Sequence, residues 1–180
     1  MDLKLTGRTA LITGSSKGIG LAVAQWLARE GVNVCLVARS AALLDKEAAA
    51  IGAATGVATK TLAADLADAA ARERVFNTFP DVDILVNNAG AIPGGALHDV
   101  DEASWRAGWD LKVFGYVGLT RLYLQHMKAR RRGVIVNVIG LGGERLDATY
   151  IAGAMGNAGL MAFTRIPCLP SSRASVLVSP

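Results

Sequence analysis

The chain has 180 residues, 52% of them apolar and 19% charged, with a formal net charge of +4. This length suits one domain with a real core, and the composition argues against a disordered chain. No apolar run reaches the roughly 18 residues expected of a membrane-spanning helix. The opening MDLKLTGRTALITG lacks a signal peptide's apolar stretch, and Cys35 and Cys168 suggest no disulfide framework. A reduced, cytoplasmic protein with no membrane partner is the expectation.

The first β-like run spans 8–13 and enters a glycine turn, Gly14-Ser15-Ser16-Lys17-Gly18-Ile19-Gly20, which opens a helix-like stretch at 19–30. Such a turn permits close backbone approach to a pyrophosphate. A Cβ at Gly14 or Gly18 would obstruct that approach, and Gly20 lets the helix pack tightly on the sheet. The helix N-terminus adds unpaired N–H donors and a favourable dipole. Gly31 marks the helix stop. A second run at 32–38 ends in Ala38-Arg39-Ser40, where an NAD-binding chain would carry a carboxylate for the ribose 2′-hydroxyl. Arg39 is instead a permanently charged fork suited to a 2′-phosphate, and Lys17 offers a second cation. NADP(H) is therefore expected over NAD(H).

Helix-like stretches at 41–51 and 68–78 then alternate with β-like runs at 57–63 and 84–88, before a long helix expected over 102–130 and a last run at 134–139. The β-like runs are continuously apolar or β-branched, as when both faces of a sheet are covered. This order predicts a doubly wound α/β fold, a parallel sheet with right-handed crossovers. Lys128, Arg130, Arg131 and Arg132, just before Gly133, fit the end of the long helix, where cations complement the dipole. No nucleic-acid partner is expected from them. His98 and His126 lack metal-ligand spacing, so no metal is expected. Trp105 and Trp109, four apart on one helix face, read as core or interface packing. The domain is expected over 1–165. Residues 166–180, with three of the five prolines, read as an irregular tail holding at most one short strand, SVLVS.

Thr13, Gly14, Gly18 and Gly20 spell TGxxxGxG, and Asn87-Asn88-Ala89-Gly90 closes the fourth run. In these two motifs the chain resembles the short-chain dehydrogenase/reductase family, from about residue 5 to 165. The resemblance implies a Rossmann-type fold of three α/β/α layers, without the family's last strands, and a cofactor across the carboxyl ends of the strands. It implies that Asn88, Ala89 and Gly90 border the cofactor's ribose and that Asp65, followed by Leu66, meets its adenine. It also implies hydride transfer between a nicotinamide and a small carbonyl or alcohol substrate through an Asn-Ser-Tyr-Lys set. There the tyrosine protonates the alkoxide, the lysine lowers its pKa, the serine polarises the carbonyl and the asparagine supports a water chain.

In this chain those four positions fall on Lys112, Gly140, Gly153 and Asn157. All four roles are vacant. Tyr150, three positions ahead of the expected tyrosine, reads either as a substitute donor, with Lys112 lowering its pKa from the neighbouring helix, or as a loop or pocket-wall residue. Two readings follow, an oxidoreductase or an NADP(H)-binding protein without turnover. Family members often pair through the 102–130 helix, which makes a homo-oligomer the accompanying expectation. A shifted reading frame after about Arg165 would account for the change of texture in the tail.

Overall fold

The β-like runs become five strands: β1 (Thr9–Thr13), β2 (Asn33–Ala38), β3 (Thr59–Ala63), β4 (Ile84–Asn87) and β5 (Val134–Asn137). They form one parallel sheet in the order β3-β2-β1-β4-β5. This is a computed structural model, and it describes residues 3–164. The expected tail, its SVLVS strand, Cys168 and the frame change after Arg165 lie outside the described residues. Helices α1 (Gly18–Arg29), α2 (Ala41–Thr55), α3 (Ala69–Thr78), α4 (Glu102–Trp109), α5 (Gly115–Arg130), α6 (Gly142–Arg145) and α7 (Ile151–Phe163) are the α-helices of the described residues.

The central strands carry apolar residues on both faces because each face is covered by a helical layer. Ala10, Ile12, Val34, Leu36 and Val86 pack with Ala24 and Ala28 of α1 and with Leu44 and Ala48 of α2. Their neighbours Leu11, Cys35, Val37 and Leu85 point the other way, into Val75 of α3 and Leu119 and Tyr123 of α5. Alternation along a strand thus separates two cores rather than core from solvent. Cys35 is a free, buried thiol, and burial pushes its pKa up to about 11.

The strand order reverses between β2 and β4, on either side of β1. The crossovers leave β1 in opposite directions there, opening a crevice at the carboxyl ends. Buried Asn87 sits at the carboxyl end of β4, its Nδ2 donating to Asn137 Oδ1 at 2.8 Å and to Thr120 Oγ1 at 3.1 Å. β4, β5 and α5 are joined by that one amide.

Several element ends differ from the sequence expectation. α2 runs on to Thr55, where Gly56 turns left-handed at φ +74 and ends it. β3 starts two residues late, β4 stops at Asn87 and β5 stops at Asn137. The long 102–130 helix is interrupted by a π-helical turn at Asp110–Phe114. Its C-terminal left-handed residue is Arg131 (φ 54) and not Gly133, because Arg131 N–H bonds Lys128 O and Arg132 N–H bonds Met127 O. Two of the four cations of the basic cluster are tied down. Arg130 donates to Val82 O at 2.8 Å, and Arg132 lies 2.6 Å from Asp83. No helix of the described residues is long and apolar enough to cross a membrane.

Candidate active-site cleft

The crevice is a cleft of about 900 Å³ over the carboxyl ends of β1, β2, β4 and β5. Its floor is the glycine turn. Thr13 anchors it: the Thr13 hydroxyl donates to Val86 O at 3.2 Å and accepts from Asn88 N–H at 2.9 Å and Ala89 N–H at 3.0 Å. Gly14 (φ +67) has no room for a side chain, since an ideal Cβ would stand 2.9 Å from Ala89 Cα and from Asn88 Nδ2. Gly20 is tighter still, facing Gly14 O directly and Asn88 Nδ2 at 2.5 Å.

Gly18 differs. At φ +59 its missing Cβ would meet nothing within 4 Å, so the glycine leaves open space in the cleft wall. α1 begins there, and no side chain among the described residues caps it. Its first N–H groups therefore retain their donor capacity.

The turn residues divide between two tasks. Ser16, Lys17, Gly18 and Ile19 line the cleft, and Lys17 and Ile19 are exposed. Ser15 faces inward. Its hydroxyl accepts from Val37 N–H at 2.9 Å and so locks the turn to β2. Arg39 is exposed at the rim, beside Ser40, which caps α2. Leu66, Asn88, Ala89 and Gly90 also line the cleft. Asp65 does not: its carboxylate accepts from Ala67 N–H at 3.1 Å in the corner after β3.

Lys112, in the π-helical turn, closes the inner end. Its stem fills the space beside Gly90, with Cδ 2.8 Å from where a Gly90 Cβ would be. Burial holds the ammonium below the ordinary lysine range. The residues after β5, Ile139, Gly140 and Leu141, form the facing wall. Behind them lies Asn157 of α7, 1% exposed, whose Oδ1 accepts from Gly140 N–H at 3.4 Å.

Tyr150 precedes α7, and its ring packs into the space left by Gly153, against that glycine and Gly142. It is not on the lining of the cleft. No hydrogen bond joins Tyr150 to Lys112 among the described residues: the tyrosine ring meets Gly142 and Gly153, while Lys112 stands on the cleft lining beside Gly90.

The sequence expectation did not name α7, although this helix builds the back of the site. Its signal is the small-residue run AGAMGNAG, which lets it approach closely. A Cβ on Gly156 would already sit 3.2 Å from Ile92 and Val113. Trp109 fixes the helix by donating to Ala152 O at 2.9 Å, and Trp105 meets Trp109 edge-on at 6.2 Å. His126 contacts Asp81 at 2.9 Å and is not part of the cleft lining.

A glycine turn between β1 and α1, an NNAG segment at the switch point and a crevice joining them are a dinucleotide fold's arrangement. The family model described as short chain dehydrogenase matches residues 8–179. The chain belongs to the short chain dehydrogenase family. Among its curated relatives, D-beta-hydroxybutyrate dehydrogenase of Cupriavidus necator is 33% identical over 177 residues, 96% of this chain and 68% of the relative. Fatty acyl-CoA reductase of Acinetobacter baylyi is 34% identical over 165 residues, 88% of this chain and 56% of the relative. The crystal structure of L-sorbose reductase from Gluconobacter frateurii, complexed with NADPH and L-sorbose, is similar with a TM-score of 0.84 and 33% identity. That likeness covers 91% of this chain and 64% of the reductase. The first relatives thus show an oxidoreductase family, but this chain spans only 52–63% of the length of the first three.

Proposed function

We propose that this short chain dehydrogenase binds NADP(H) in the cleft and moves a hydride between it and a small carbonyl or alcohol compound. The observation that carries the reading is the charge of the lining. Lys17 and Arg39 stand at the rim beside the uncapped N-terminus of α1, and no carboxylate lines the cleft among the described residues. The residues present fit a dinucleotide phosphate. Gly18 leaves open space where a side chain would intrude, the uncapped first turn of α1 starts there, and Lys17 and Arg39 on the lining suit a 2′-phosphate.

Gly14, Ser16 and Gly18 would hold the pyrophosphate, and Asn88, Ala89 and Gly90 the ribose. Asp65 belongs to the same proposal as the adenine contact, reached from its corner after β3. Bound NADP(H) supplies or accepts the hydride. At the inner end, Lys112 provides positive charge and Tyr150 is the proton donor, the hydroxyl moving from the Gly153 side of α7 toward the carbonyl oxygen. Pairing of two chains through the 102–130 segment, where Phe114 is 52% exposed, would accompany this activity.

One observation favours a second reading, NADP(H) binding without turnover. Glycines occupy positions 140 and 153, and the Tyr150 ring packs back onto α7, off the cleft lining. A single experiment separates the two. Purified protein is mixed with NADPH and a panel of aldehydes and ketones, and absorbance loss is followed against a heat-killed control. Turnover supports the enzyme; tight binding without turnover supports the second reading; no binding of either dinucleotide refutes both.

A further inference from the structure

The cleft lining holds three cations, Lys17, Arg39 and Lys112, and no carboxylate among the described residues. Two of them stand at the rim, where the proposed cofactor's phosphates lie. Lys112 stands at the other end, between Gly90 and the Ile139–Leu141 wall. It makes no ion pair or hydrogen bond among the described residues. A partly buried ammonium with no partner is costly, and the fold keeps this one fixed by packing its stem against Gly90. Its lowered pKa has desolvation as its cause, the condition under which a bound anion is most stabilising.

Resting on the cofactor reading above, we propose that the cleft takes an anionic carbonyl substrate, an oxo acid and its hydroxy acid, whose carboxylate Lys112 holds. In the reductive direction the carbonyl carbon gains the hydride from NADPH and the carbonyl oxygen gains a proton. The carboxylate is unchanged, and NADP⁺ is the other product. The ammonium neutralises the substrate charge, orients the carbonyl within the apolar wall of Ile139 and Leu141, and discriminates against neutral ketones.

Calorimetry on protein saturated with NADP⁺ tests this without turnover, because an oxidised cofactor and an oxo compound form a dead-end complex. The probes are 2-oxobutyrate and 3-oxobutyrate, with 2-butanone as the neutral comparison. At least one acid is expected to bind roughly tenfold to a hundredfold tighter than the ketone, the range for a charge-assisted contact. Lys112→Met should bring that ratio close to one, while Lys112→Arg keeps it; thermal melts of both variants control for folding. Equal affinity for acids and ketone, no heat with either acid, or a preference that survives Lys112→Met would overturn the assignment. Failure of NADP⁺ to bind in the preliminary titration would instead overturn the cofactor reading, and this proposal with it.

Discussion

Gly20→Ala tests how closely the first helix is seated on its turn. An alanine Cβ there would lie against Gly14 O, 2.5 Å from Asn88 Nδ2 and 2.9 Å from Gly14 C. Neither obstacle yields easily. Gly14 is backbone held by Gly14 N–H to Val37 O at 2.8 Å, and Asn88 Nδ2 is engaged with Thr13 O at 3.0 Å. Relief requires α1 to move by roughly 1 Å, since non-bonded carbons rest near 3.5–4.0 Å. Overpacking of this kind costs about 1–3 kcal/mol, partly offset by alanine's helix preference of at most about 1 kcal/mol.

The net loss, centred on about 1–2 kcal/mol, should lower the melting temperature by roughly 2–8 °C in a chain of this size. Thermal unfolding of the ligand-free protein, followed by circular dichroism, measures it. Gly18→Ala is the informative companion, because its Cβ meets no protein atom and only the φ of +59 resists it. There stability should fall by about 1–2 kcal/mol from backbone strain, and NADPH affinity should also drop as the methyl enters the cleft. A Gly20→Ala protein melting at or above the parent temperature would refute the packing argument.

Arg39→Asp should weaken NADPH binding by about tenfold or more and shift preference toward NADH, and unchanged affinities in calorimetry would remove the 2′-phosphate argument. Tyr150→Phe should reduce turnover on a working carbonyl compound by about a hundredfold or more; retained turnover would dismiss Tyr150 as the donor. Asp83→Ala should destabilise by about 1–3 kcal/mol in urea titrations, because Thr9 N–H loses its 3.0 Å acceptor and Arg132 its partner. Cys35, its pKa raised to about 11, stays a protonated thiol until the pH approaches that value. In a Cys168→Ser background a disulfide reagent at pH 8 should label Cys35 only on unfolding, and rapid labelling of the native protein would contradict its burial.

The strands and the first crossover were legible because their causes are local. The apolar stretches 10–12 and 34–38 announce strands covered on both faces, and the glycines of 14–20 are required by the turn itself. Other features carried no local signal. The π-helical turn at Asp110–Phe114 follows ordinary helical residues, and α2 continues past 51 because only Gly56 breaks it. Ser15 looked like its neighbour Ser16, yet its hydroxyl is committed to Val37 across the sheet. Arg131 replaces a glycine in the left-handed cap because the hydrogen bonds to Met127 and Lys128 outweigh its intrinsic cost.

From residue order alone came the doubly wound framework, the phosphate-binding turn and the cation at the end of β2, all consequences of short-range periodicity and glycine geometry. The inner end of the cleft is of another kind. Lys112 comes from a π-helical turn, Gly140 from the segment after β5, and Tyr150 and Asn157 from the start and middle of α7. They meet because strand pairing and close helix packing bring distant stretches together. Which side chain fills the space beside Gly153, and that the partly buried Lys112 has no ion pair among the described residues, are settled by that packing and by no spacing along the chain.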